Sequence, residues 1–142
     1  MNRPADVGPL LGRVETRVRY PETDRMGVAY HGHYLVWFEL GRTEWMREIG
    51  FPYGELEDEG VYFPVTRAEV RYRRSARYDE RLVVETRLVS VGASRVRFEY
   101  QIDGQDGRMV ATGATEHGAV GPEGRPRRLP ANLRERLQHG GS

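Results

Sequence analysis

The chain has 142 residues, enough for one packed domain and too few for two independent cores. Its 22 basic residues face 21 acidic ones (pI about 8.1), a near balance that argues against a general nucleic-acid binder, and no apolar run approaches the roughly 18 residues of a membrane span. Cysteine is absent, which excludes disulfides and thiol nucleophiles, and every basic residue is Arg, which excludes lysine Schiff-base and phosphate-loop lysine chemistry.

Residues 1–12 are polar and broken by Pro4, Gly8 and Pro9, so they read as a flexible lead-in. They lack the charged-then-apolar layout of a signal peptide, and a cytoplasmic location is the expectation. From Arg13 to Tyr20 the chain alternates, with Val14, Thr16, Val18 and Tyr20 opposed by Arg13, Glu15, Arg17 and Arg19. That pattern predicts a half-buried strand with Tyr20 packed inward, ended by Pro21. Residues 21–32 read as a loop with freedom at Gly27 and Gly32.

The period changes over His33 to Ile49, where Tyr34, Phe38, Gly41, Trp45 and Ile49 recur at helical spacing, flanked by Leu35, Trp37, Leu40 and Met46. So wide an apolar arc predicts a helix enclosed by protein. Gly41 in its middle costs about 1 kcal/mol against Ala, which suggests a close approach to a neighbouring backbone. Gly50 is a stop signal, and Tyr53 to Glu59 reads as a short second helix. Strand patterns follow at Val61 to Arg73 (with a bulge near Thr66), Leu82 to Val91, Arg95 to Ile102 and Arg108 to Val120, the last two joined by a turn opening at Asp103-Gly104. Ala131 to Gln138 reads as a terminal helix, and 138–142 as a flexible end.

One strand, a long buried helix and four more strands in an antiparallel meander close a core only if the sheet curls around the helix, an α+β layout over residues 13–137. The mean hydropathy of −0.69 is polar for such a domain, which suggests apolar surface completed by partner subunits.

The chemically dense segment is Tyr20 to His31, a loop between the first strand and the helix. Asp24 and His31 are seven residues apart across Gly27 and can converge. A helix starting near His31 or Gly32 directs free N–H groups and the positive end of its dipole into the same space. A carboxylate able to attack a carbonyl or activate water, beside amides able to hold an oxyanion, suits acyl transfer. Asp24 alone would read as a turn or capping residue, and His31 as a helix-start residue. A zinc set of Asp24, His31, His33 and Glu39 is disfavoured, because two His at i and i+2 diverge on a helix. Trp37, Phe38 and Trp45 read as core, and His117, without a motif partner, as structural.

The run Tyr20-x-x-x-Asp24-x-x-Gly27-x-x-x-His31-x-x-Tyr34-x-x-Trp37-x-Glu39-x-x-Arg42-x-Glu44 resembles the signature of the YbgC-like, 4-hydroxybenzoyl-CoA thioesterase family. The likeness extends more weakly through Asp79 and the strands to Arg125–Pro130. It implies the hotdog fold, a five-stranded curled antiparallel sheet wrapped around one long central helix. It also implies hydrolysis of a short- or medium-chain or aromatic acyl-CoA. By the resemblance, Asp24 is nucleophile or general base, and His31 stands where a helix-leading N–H meets the thioester carbonyl. Tyr20 is a third site residue. Glu22 departs from the Asp that relatives often carry. Coenzyme A is part of the substrate, with no retained cofactor or metal, and homodimers with joined sheets pair into homotetramers with sites at the subunit interface. Arg67, Arg71 and Arg74, within a basic stretch that also holds Arg73 and Arg77, are candidates for the coenzyme A phosphates, although a solvated strand face explains them more simply. Two rivals stay open. One is a non-catalytic acyl-CoA or acyl-carrier binding module, which Asp24 speaks against. The other is a hotdog dehydratase, whose general-base motif is not found.

Overall fold

The structure, a computed structural model, describes residues 11–139. Five strands, β1 (Leu11–Arg17), β2 (Val65–Tyr72), β3 (Arg81–Val91), β4 (Arg95–Gly104) and β5 (Met109–Gly118), form one antiparallel sheet in the order β1-β3-β4-β5-β2. Helix α1 (His33–Glu48) lies in its concave face, while α2 (Tyr53–Asp58) and α3 (Ala131–Gln138) close the ends. This is the α+β hotdog architecture. The lead-in and end assigned to 1–10 and 140–142 lie outside the described residues, but Leu11 and Gly12 already belong to β1 and Gln138 to α3.

Strand periodicity decides which side chains meet the helix. In β4, Val96, Phe98, Tyr100 and Ile102 are buried, and Arg97, Glu99, Gln101 and Asp103 face away. From α1, Phe38 stacks on Tyr100 with centroids 4.4 Å apart, and Trp45 meets Phe98 edge-on at 5.4 Å. Gly41 sits where a Cβ would collide with Thr86 Oγ1, with Val84 Cγ1 3.0 Å away. The helix is therefore seated on side chains of β3, and not against a backbone. On the outer face Arg97 joins Glu116 (2.7 Å), Glu69 (3.2 Å) and Glu99 (3.8 Å), and Arg13 pairs with Glu85.

Two expectations need correction. The four later strands are not a simple meander: only β3, β4 and β5 are consecutive neighbours. β1 and β2 are the two opposite edges, β2 beside β5, and α1 spans the concave face between them, starting near Tyr72 of β2 and ending with Trp45 against Gly12 of β1. The expected bulge is present, as a register shift between Val65 and Arg67. The first strand ends at Arg17, and Tyr20–Glu22 forms a 3₁₀ turn that leaves Tyr20 75% exposed. Pro21 fixes φ there, and Glu22 reaches back to accept the Arg19 N–H at 2.7 Å, so alternation is lost after Val18.

The core also holds a directed polar chain. His117 Nδ1 lies 3.1 Å from the Phe63 carbonyl, which can only accept, so Nδ1 carries the proton. Neutral Nε2 then accepts from Thr115 Oγ1 (2.8 Å), and Thr115 accepts from Tyr100 (2.6 Å). The buried Arg42 guanidinium lies beside Tyr100 and Tyr53. Burial first, then the Arg42 charge, pushes the His117 pKa down to about 4. Unfolded His takes up its proton near 6.5, so between these values the unfolded chain binds more protons. Stability is whole above pH 6.5 and declines as pH falls toward 4, by at most about 1.4 kcal/mol per pH unit. Urea unfolding between pH 5 and 6.5, above the carboxylate range, is expected to show this slope in the wild type and a flatter one in His117→Gln. Equal slopes would show that His117 is not its source.

Candidate active site

The loop from Tyr20 to Gly32 is a small hairpin welded to chain that is distant in sequence. Thr23 and Ala29 form an antiparallel bridge, the Asp24 N–H donates to Val28 O at 2.9 Å, and Gly27 at φ 77° closes the tip. Its outer arm pairs with residues 76–78: Ala29 N–H donates to Ala76 O (2.8 Å) and Tyr78 N–H to Gly27 O (3.3 Å). Asp79 continues this support. It holds a left-handed φ of 65°, which Asp tolerates better than most side chains, and its carbonyl accepts from Arg17 at 2.8 Å.

Asp24 sits at the tip, exposed, with Oδ1 accepting the Met26 N–H at 2.8 Å. That Asx turn fixes the carboxylate's direction through one oxygen and leaves the other for chemistry. His31 is exposed, its ring 4.3 Å from that of Tyr30, and no direct contact joins its side chain to Asp24 among the described residues. The two belong to one hydrogen-bonded loop and are not in contact. Gly32 is the residue before α1, and among the described residues neither its N–H nor that of His31 has an acceptor, whereas His33 N–H donates to Tyr30 O at 3.0 Å. Two amides at the positive end of a 16-residue helix are therefore free to hold an anionic or polarised oxygen. Tyr20 does not pack inward; its ring stands edge-on to Tyr78 at 5.9 Å beside the loop.

The Arg residues proposed for phosphates do not gather at this loop within one chain. Arg67 and Arg71 alternate onto the sheet face away from α1, where Arg71 lines a groove of about 340 Å³. Arg74 is committed to Glu80 (2.7 Å) and Asp106 (3.0 Å). Arg77 is the basic residue of that stretch whose backbone adjoins the loop, bridging Val28.

Sequence reasoning missed the buried pair beneath the loop. Glu22, only 4% exposed, accepts from the Arg19 backbone (2.7 Å) and guanidinium (3.2 Å), and its Oε2 lies 2.7 Å from His33 Nε2. The ring N–H line misses that oxygen, so the contact is a close approach and not an aligned hydrogen bond. Burial acts to raise the Glu22 pKa, but the two Arg19 hydrogen bonds, then the charges of His33 and Arg19, outweigh it and hold the carboxyl below its usual range. The Glu22 carbonyl also accepts the Tyr30 N–H at 2.8 Å, so one residue ties the strand end, the loop's return arm and the first turn of α1. Arg19 is not a capping residue type, so the i, i+3 link to Glu22 carried no pattern in the sequence, and the reach to His33 spans eleven residues. Glu22→Ala is expected to lower stability by about 1–3 kcal/mol in urea unfolding, and Arg19→Ala, whose side chain is exposed, by less than about 1 kcal/mol. Equal effects would show that the buried carboxylate is not the tie.

With this geometry in place, the likenesses are specific. The family model described as the thioesterase-like superfamily matches residues 18–137. The chain is 34% identical over 113 residues to YneP of Bacillus subtilis, whose name assigns it provisionally to the acyl-CoA thioesterases, with 80% of this chain and 82% of the relative covered. It is 32% identical over 124 residues to the acyl-CoA thioester hydrolase YbgC of Escherichia coli, covering 87% and 92%. Among solved structures, a DHNA-CoA thioesterase of Staphylococcus aureus superposes with a TM-score of 0.82 at 36% identity, over 84% of this chain and 80% of that one.

Proposed function

This chain belongs to the thioesterase-like superfamily, and on that premise we propose that it hydrolyses acyl-CoA thioesters at the loop between β1 and α1. The observation that carries the proposal is one rigid frame holding the Asp24 carboxylate and the unpaired His31 and Gly32 amides. The thioester oxygen accepts from those amides, which are fixed before the reaction and stabilise the charge that develops on it. Asp24 either attacks the acyl carbon, giving a mixed anhydride that water opens, or draws a proton from the attacking water. In both routes the C–S bond breaks and the electron pair leaves on sulfur. Water supplies OH to the acyl group, and coenzyme A departs as a thiol after taking up the proton. A thiolate is a good leaving group near neutral pH, so neither a strong acid nor a cofactor is needed, and coenzyme A enters and leaves with the substrate.

His31 and Tyr20, on the same loop, are assigned to placing the acyl group. Arg77, adjoining the loop, is a better placed phosphate contact than Arg74, while Arg67 and Arg71 reach a phosphate only through the edge of β2. On a panel of short-chain, medium-chain and aromatic acyl-CoAs, with released thiol read by a chromogenic reagent, the folded wild type is expected to turn over at least one. Asp24→Asn is expected to lose about 10²-fold or more in kcat. A folded wild type inactive on all of them, or an Asn variant at full rate, would overturn the reading.

The site is completed by a second copy of the chain. Tyr20, Met26, Tyr30, Leu35, Val36 and Tyr72 are exposed apolar side chains around the loop and the first turns of α1, a patch of the kind that marks an interface. The free edge of β2 beside it offers unpaired backbone groups for joining two sheets. Light scattering at micromolar concentration is expected to read a dimer or a dimer of dimers; a monomer alone would contradict this.

A further inference from the structure

The last residue of β2 reaches the start of α1. Tyr72 Oη donates to the carbonyl of His31 at 2.7 Å, across 41 residues of sequence. Within the helix, that carbonyl has only a long partner, the Tyr34 N–H at 3.5 Å. The tyrosine hydroxyl is therefore its strong hydrogen bond.

The carbonyl of His31 and the N–H of Gly32 belong to one peptide unit. That unit is trans, since the described residues contain no cis bond. In a planar trans peptide the C=O and N–H point in opposite directions. Fixing the oxygen against β2 fixes the hydrogen away from it, beyond the end of the helix, where it has no acceptor among the described residues. A donor on the carbonyl also draws electron density through the amide and makes its N–H a stronger donor, an effect of about 10–30% per bond. Gly32 itself has helical φ and ψ (−69°, −19°), and a Cβ there would press within 2.9 Å of the Tyr30 ring, so this position admits no bulk that would shield the amide.

From this geometry we propose that Tyr72 is a positioning residue for the hydrolysis: its hydroxyl holds and polarises the His31–Gly32 peptide so that the Gly32 N–H is presented to the thioester oxygen. The inference rests on the thioesterase reading and assigns a role to a residue of the far edge strand. The tyrosine is itself well held. Its ring stands edge-on to buried Tyr34 at 4.9 Å and 90°, and the β2–β5 ladder pairs its backbone with Ala111. Burial, then the neighbouring Tyr30, raises the Tyr72 pKa, which keeps the phenol protonated as a donor. The same hydroxyl couples the site to the sheet edge on which a second subunit would dock.

Tyr72→Phe removes one oxygen atom and keeps the ring. On a substrate that the wild type hydrolyses, kcat is expected to fall about tenfold with KM changed less than about twofold, because the weakened donor acts mainly on the transition state. A second readout does not depend on turnover. Labelling His carbonyl carbons with ¹³C and Gly nitrogens with ¹⁵N selects three peptide units, His31–Gly32, His117–Gly118 and His139–Gly140. In Tyr72→Phe the Gly32 amide proton is expected to move upfield while the other two stay. If the Phe variant fails to fold, 3-fluorotyrosine at position 72 keeps ring and hydroxyl, strengthens the donor, and is expected to move the same proton downfield. An unmoved Gly32 signal, or an unchanged kcat in a folded Phe variant of an active enzyme, overturns the role of Tyr72. Wild-type inactivity on every substrate is a separate result, which overturns the hydrolase reading before any variant is compared.

Discussion

Backbone hydrogen bonds between the Asp24 hairpin and chain far from it in sequence are the constraint on which the rest of the molecule depends. Ala29 to Ala76 and Tyr78 to Gly27 leave the loop little freedom, Tyr30 to Glu22 closes it on itself, and an Asx turn removes more at its tip. A carboxylate on an untethered loop would sample many directions, and the entropy of fixing it would fall on the reaction. Here that cost is met during folding, by backbone bonds to the segment between β2 and β3. The helix start is held likewise, from below by Glu22 and from the side by Tyr72.

The sheet exists to bring those supports together. Curling it around α1 buries Trp37, Phe38 and Trp45 and sets the helix axis. α1 starts beside Tyr72 of β2 and ends with Trp45 against Gly12 of β1, so its first turn lies within reach of the β2 edge. The core is not wholly apolar. Beside the buried Arg42, Tyr100, Thr115 and His117 form a chain whose donor directions are set by the Phe63 carbonyl. Such a network favours one arrangement of its members and makes the fold sensitive to acid, since a second proton on His117 leaves Thr115 and Tyr100 with opposed donors.

Much of this was legible in the residues themselves. Strict alternation over Arg95 to Ile102 predicted β4, the wide apolar arc predicted α1 to within a residue, and Ala131–Gln138 is the terminal helix as read. Local pattern carries such elements because burial follows period. The misreadings share another cause. Tyr20 was assigned inward by continuing an alternation that a proline and a side-chain-to-backbone bond had already ended. The place of β2 at the far edge depends on where a helix sets down, which no period records. Glu22 to His33, and Tyr72 to His31, are contacts between elements, so the signature flagged Asp24, Gly27 and His31 without the residues that hold them. Arg74 looked available for a ligand because Glu80 and Asp106 become its partners only once the sheet end folds.

The central claim, that Asp24 and the amides leading α1 act on a single carbonyl, is tested most directly by a crystal structure of the Asp24→Asn variant with an acyl-CoA bound. The thioester oxygen is expected within about 3 Å of the Gly32 or His31 nitrogen, and the acyl carbon about 3–3.5 Å from the side chain at position 24. A thioester lying elsewhere on the protein, with both amides left to solvent, would contradict it.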